Sequence, residues 1–63
     1  MKNNYVIYFT WNDGTEDSMN VQNALVRDRC IVDMLQRKDF KYIAYSRIYA
    51  SGEYGYRHVI LQS

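Results

Sequence analysis

The chain has no proline, one cysteine, one histidine and three glycines among its 63 residues. Each shortage removes something. Without proline there is no semi-rigid linker and no obligatory helix break, and the absence of repeats or biased tracts leaves no boundary between modules. Cys30 has no second thiol, which excludes an intramolecular disulfide and the paired-cysteine zinc patterns and fits a reducing compartment. Cys30 and His58 are the only residues of their kinds. A thiol nucleophile with an imidazole base would need these two to meet, one from a helix and one from a strand. Gly14, Gly52 and Gly55 stand at or beside turns rather than together, so no glycine-rich phosphate loop is present. No basic start followed by a 7–15-residue apolar run marks a signal peptide, and every apolar run falls far short of the ~20 residues that span a bilayer. The expectation is a cytoplasmic chain with no membrane partner.

Charge of one sign is also scarce, the formal net being +1. Residues 1–26 carry Lys2 against Asp13, Glu16 and Asp17, and residues 27–63 carry seven Lys and Arg against Asp28, Asp33, Asp39 and Glu53. A split of −2 against +3 reads as a mixed, solvated surface rather than a polyanion-binding patch. What is plentiful is apolar and aromatic material: 48% hydrophobic residues, with seven tyrosines. That is globular composition, and a chain of this length forms one core and hence one domain, 1–63. A core this small supplies only about 3–5 kcal/mol, so self-association is an expected way of gaining stability.

Tyr5 to Trp11 is dense in β-branched and aromatic residues and predicts a strand. Asn12-Asp13-Gly14-Thr15 follows, and Asp-Gly predicts a two-residue type I′ hairpin leading to a polar edge strand from Thr15 to about Met19. From Asn20, read as an N-cap, the period becomes helical. Val21, Ala24, Leu25, Ile31, Val32 and Leu35 share a stripe, and the helix ends near Arg37 or Lys38. Lys41–Ala50 and Tyr54–Leu61 predict two further strands, joined by a type II′ turn at Gly52-Glu53. That turn opposes Tyr49 to Tyr56, Arg47 to His58 and Tyr45 to Ile60, and avoids facing Arg47 with Arg57. The fold class is α+β, with elements in the order ββαββ: a four-stranded, mainly antiparallel sheet with one helix on one face.

In this alignment Ala44, Ser46, Ile48, Val59 and Leu61 join Ile7, Phe9 and Trp11 under the helix. Tyr45, Arg47, Tyr49, Tyr56 and His58 fall with Val6, Tyr8 and Thr10 on the uncovered face. Two helix features stand out. Asp28 lies near the centre of the stripe and needs either a partner, for which Arg57 is in place, or access to water. Val26, Cys30 and Met34 form a minor stripe opposite, available for contact with another chain.

No group of residues has the spacing of a catalytic, cofactor or metal site. The acidic segment Asn12–Asp17 lacks the ligand spacing and terminal glutamate of a calcium loop. The expectation is therefore a non-enzymatic protein-interaction module, binding a protein partner or a second copy of itself. Its candidate contact residues are Tyr8, Tyr45, Arg47, Tyr49, Tyr56 and His58, of the types enriched in interfaces. The alternative is single-stranded nucleic acid, with bases stacked on the tyrosines and phosphates met by Arg47 and its neighbours. Trp11-Asn12-Asp13-Gly14-Thr15, the helix after it, and the run from Arg47 through Tyr49, Gly52 and Glu53 to Gly55 make the chain similar to small proteins encoded on bacterial mobile elements. The resemblance implies an accessory role such as regulation or partner binding.

Overall fold

The computed structural model describes residues 3–63. Its elements are β1 (Tyr5–Trp11), β2 (Glu16–Val21), α1 (Ala24–Arg37), β3 (Phe40–Arg47) and β4 (His58–Gln62). They form one sheet in the order β2-β1-β3-β4, every neighbouring pair antiparallel. This is the ββαββ architecture expected from the sequence. Among the described residues no helix is long and apolar enough to cross a membrane.

The two hairpins share one turn, and it is not a two-residue turn. Trp11 N–H donates to Thr15 O at 2.8 Å and Gly14 N–H to Trp11 O at 2.9 Å; Tyr49 N–H donates to Glu53 O at 2.8 Å and Gly52 N–H to Tyr49 O at 2.9 Å. Each is a three-residue loop, a type I turn closed by a glycine in a G1 bulge. Gly14 at φ 95° and Gly52 at φ 90° supply the left-handed residue. The residue before each glycine caps the loop: Asp13 Oδ1 accepts from Thr15 N–H at 2.9 Å, and Ser51 Oγ from Glu53 N–H at 3.4 Å. The type I′ and type II′ expectations are thereby corrected, because aspartate and serine cap the loop instead of occupying a positive-φ position or standing outside the turn.

The second correction concerns register. Tyr45 pairs with His58 and Ala44 with Val59, then a bulge moves the alignment so that Ile43 pairs with Leu61. Against β1, Ile7 pairs with Tyr45 and Phe9 with Ile43. Directly paired residues share a face, so Ile43 and Tyr45 lie under the helix, whereas Ala44 and Ser46 lie on the far side. The expected assignment of β3 and β4 faces is reversed, with Leu61 alone of the expected β4 pair under the helix. The core consists of Ile7, Phe9, Val21, Ile31, Met34, Phe40 and Ile43.

The helix begins later and is turned from its expected orientation. Asn23, not Asn20, is the N-cap, its side chain accepting from Val26 N–H at 2.9 Å, while Val21 is buried as the last residue of β2. Ile31 and Met34 are buried, Ala24, Arg27 and Cys30 are partly so, and Leu25, Val32 and Leu35 face outwards. Cys30 and Met34 of the minor stripe therefore belong to the core-facing side. The reason is Asp28: the wider aliphatic stripe carries a carboxylate at its centre, and the helix turns to leave that carboxylate in water. Asp28 is paired with Arg27, Oδ1 lying 2.9 Å from both Nε and Nη2, and not with Arg57.

Arg57 lies on the uncovered face, its guanidinium carbon 3.8 Å from the Tyr8 ring centroid and its Nη1 3.4 Å from the Tyr42 hydroxyl. That hydrogen bond raises its pKa above the ordinary value. Val6, Ala44 and Ser46 are buried on this face without a second layer of secondary structure.

α1 exits through Lys38, which adopts the left-handed conformation at φ 60° and donates its N–H to Met34 O at 3.3 Å. Asn12 fixes this exit to the first hairpin, its Nδ2 donating to Lys38 O at 3.1 Å and its N–H to Asp39 O at 2.9 Å.

Two predictions follow from these turns. Lys38→Gly removes a left-handed side-chain penalty and is expected to raise unfolding stability by about 1 kcal/mol in urea; a loss of stability contradicts the capping geometry. The Thr15 N–H and hydroxyl hold the exposed Asp13 carboxyl below its ordinary 3.8. A depressed value means support that is complete above pH 3.8 and is lost as pH falls through the lower folded value. The Thr15 amide proton, followed by NMR, is expected to titrate with a midpoint below 3.8. A midpoint above it sinks this reading.

Candidate functional site

Two arginines ten positions apart fasten α1 to the sheet. Arg27 lies with its guanidinium carbon 4.6 Å from the Tyr5 ring and 4.3 Å from the Tyr45 ring, and Arg37 lies 5.8 Å from Trp11 and 5.6 Å from Phe40. Each bridges one aromatic residue of β1 and one of β3. Each is also held by a neighbouring carboxylate, Arg27 by Asp28 at 2.9 Å and Arg37 by Asp39 at 3.0 Å. At the Arg37 end the rings pack as a closed group, Trp11 on Phe40 at 4.5 Å and Phe9 on Phe40 at 5.4 Å.

The Arg27 end stays open. There the sheet extends beyond the first turn of α1, and the helix side of β3 and β4 carries a run of polar aromatic groups. Tyr45 stacks on His58 at 4.8 Å with 19° between the planes, and Tyr56 leans on His58 at 4.5 Å. With Arg27 over Tyr45 and Tyr5, a ladder of alternating rings and cationic or imidazole groups crosses from β4 to β1. Arg47 adds a second guanidinium, 5.6 Å from the Tyr49 ring. Together Tyr5, Arg27, Tyr45, Arg47, Tyr49, Gly55, Tyr56 and His58 line a cleft of about 310 Å³.

Five of the six residues singled out from the sequence thus meet in one place: Tyr45, Arg47, Tyr49, Tyr56 and His58. The face is not the expected one. They lie on the helix side, beyond the helix N-terminus, whereas Tyr8 lies on the far face beneath Arg57. The expected placement of these five on the uncovered face is therefore corrected, because Tyr45 pairs with Ile7 and His58 with Tyr45 on the helix side, while Tyr8 alone stays on the far face, with Arg57 over its ring. Three cleft residues are not among those the sequence singles out: Tyr5, Arg27 and Gly55. Arg27 was legible in principle, since turning the helix to expose Asp28 brings the residue before it towards the sheet.

Gly55 sits at the cleft wall, where a side chain would press on the Tyr49 ring. Its N–H donates to Arg47 O at 2.7 Å, and a Cβ would come within 3.2 Å of the Tyr49 hydroxyl. Cys30 lies towards the other edge of the sheet, beside Met19, Trp11 and Phe40, so the thiol and the His58 imidazole are not brought together. The cleft lining contains two guanidiniums, an imidazole and four phenols, and no carboxylate. Such a surface attracts anionic groups and offers ring faces to planar or aliphatic ones. No family model matches the chain, and no curated protein or solved structure matches it.

Arg27 has a side chain only 16% exposed, so its contacts bear on stability as well as on the cleft. Arg27→Ala is expected to cost about 1–2 kcal/mol in urea unfolding through lost ring contacts and stem packing. Arg27→Lys restores only part of it, because an ammonium cannot lie flat across two rings. Full recovery by lysine contradicts the clamp.

Proposed function

We propose that the protein is a non-enzymatic interaction module acting in a reducing, cytoplasmic setting, and that its cleft receives an acidic segment of a protein partner. The observation that carries this reading is the lining itself: Arg27, Arg47 and His58 among four tyrosines, without a carboxylate. Tyrosine and arginine are enriched among the residues that dominate binding energy at protein interfaces, tyrosine offering large area at little rotamer cost and arginine a fork of directional donors. Tyr56, 78% exposed, is the ring most available to a partner, and Arg47 is the guanidinium without an ion-pair partner among the described residues. A second copy is the weaker occupant of this site, because a two-fold pairing of clefts would face cations with cations.

The test is calorimetric titration of the protein with ten-residue peptides rich in Glu and Tyr, their Lys-for-Glu counterparts, and a single-stranded oligonucleotide. Acidic peptides are expected to bind, and Arg47→Ala or Tyr56→Ala to weaken them about tenfold, the size of a hot-spot truncation, with the circular dichroism unchanged. Indifference to peptide charge overturns the reading. So does a preference for the oligonucleotide with a steep salt dependence, which would favour the stacking alternative.

A further inference from the structure

An open sheet ends in two edges, where backbone N–H and C=O groups lack a strand partner, and proteins ordinarily blunt such edges with charged side chains. The edges here are β2 and β4, and they differ. β2 carries Glu16 and Asp17, whereas β4, His58-Val59-Ile60-Leu61-Gln62, has no Asp, Glu, Lys or Arg. Val59 is 49% exposed and Ile60 44% exposed. Among the described residues no strand pairs with the outer side of β4.

Hydrogen bonding decides which backbone groups of β4 are free. Gly55 N–H donates to Arg47 O at 2.7 Å, so Arg47 turns its C=O towards the segment leading into β4. Backbone groups alternate along a strand, so Tyr45 also faces β4 and Ala44 faces β1. His58, opposite Tyr45, is therefore bonded to β3, and Val59, opposite Ala44, turns its N–H and C=O outwards. At the other end Ser63 N–H donates to Lys41 O at 3.0 Å, so Gln62, opposite Tyr42, turns outwards too. The bulge between these two positions interrupts the edge. Val59 is thus the free pairing position beside the cleft, next to the cleft residue His58.

We propose that an extended segment of the partner protein adds to β4 as a fifth, antiparallel strand hydrogen-bonded to Val59, and that its next residue, an Asp or Glu, enters the cleft. The proposal rests on the cleft reading above and gives the acidic segment a conformation and a direction. Every pairing in the sheet is already antiparallel. In such a pair the residue after the one bonded to Val59 lies opposite His58, with its side chain on the same face as the imidazole. That is the helix side, where Arg27 and Arg47 line the cleft, so the acidic group comes C-terminal to the paired stretch. Charge selects the occupant. β4 of a second copy brings no carboxylate to these cations, whereas an acidic strand satisfies the backbone edge and the cleft together.

The experiment titrates the full chain with three designed peptides by calorimetry and follows amide hydrogen exchange by NMR. The first peptide has a Thr and Val stretch with Glu residues at its C-terminal end, the second has the same residues in reverse order, and the third is the first with every amide of the stretch N-methylated. The first is expected to bind about tenfold more tightly than either of the others, the size of two net backbone hydrogen bonds, and to slow exchange of the Val59 amide by at least about tenfold. Equal affinity of the first peptide and either of the others overturns the proposal. So does unchanged Val59 exchange in a complex that Arg47→Ala weakens, an outcome that leaves the cleft reading standing. Binding by none of the three overturns both. A free protein that sediments as a dimer with its Val59 amide already protected would identify a second copy as the occupant and overturn the proposal equally.

Discussion

The pairing of β1 with β3 fixes which residues lie on which side of this protein, and every surface described above inherits that choice. Ile7 opposite Tyr45 and Phe9 opposite Ile43 place one alternating set of β3 beneath the helix. A slip of one residue would exchange it for Ala44 and Ser46. The alternative leaves the helix facing small side chains and takes Ile43 out of the cluster of Ile7, Phe9, Ile31 and Met34, so core packing selects the observed parity. Ile7 and Ile43 are both fully buried at the centre of the pairing. With this register set, Tyr5 and Tyr45 fall under Arg27, and Trp11 and Phe40 under Arg37.

The two arginine clamps explain a helix whose core-facing side is poor in aliphatic residues. Ile31 and Met34 are its only buried side chains, and the ends are held by guanidiniums within 4.3–5.8 Å of ring centroids. Cation–ring contacts of this kind are worth about 0.5–2 kcal/mol each, comparable to burying another aliphatic side chain. The consequence is that Leu25, Val32 and Leu35 are left exposed, and that the end of the sheet under Arg27 stays polar and open. One surface is cationic and aromatic, the other aliphatic with a single carboxylate.

Much of the architecture was legible in the sequence. Tyr5–Trp11, the Asp13-Gly14 and Gly52-Glu53 turn signals, the helical period and two late strands yield the ββαββ order directly, since each element has a strong local cause. What was not legible was parity. The turn at Ser51-Gly52 offers two closures, and the three-residue form with its bulge differs in register from the two-residue form. A further bulge between Ile43 and Ala44 moves β4 again, and neither shift leaves a mark in composition. By period alone the stripe of Leu25, Ile31, Val32 and Leu35 outweighs the minor stripe that carries Cys30 and Met34, although Asp28 is the contrary signal. The tyrosine-rich residues stayed together through these errors because Tyr45, Arg47, Tyr49, Tyr56 and His58 share one parity across the strand pair whichever side the helix takes. Tyr8, on another strand, did not follow them.

The central claim is that Tyr45 and His58 lie on the helix side of the sheet beneath Arg27. Nuclear Overhauser contacts measured on the folded chain test it most directly. The account predicts cross-peaks from the Arg27 side chain to the ring protons of Tyr5 and Tyr45, and between the Tyr45 ring and His58. Cross-peaks from the Tyr45 ring to Tyr8 or Arg57, with none to Arg27, would place the cleft on the other face and contradict the account.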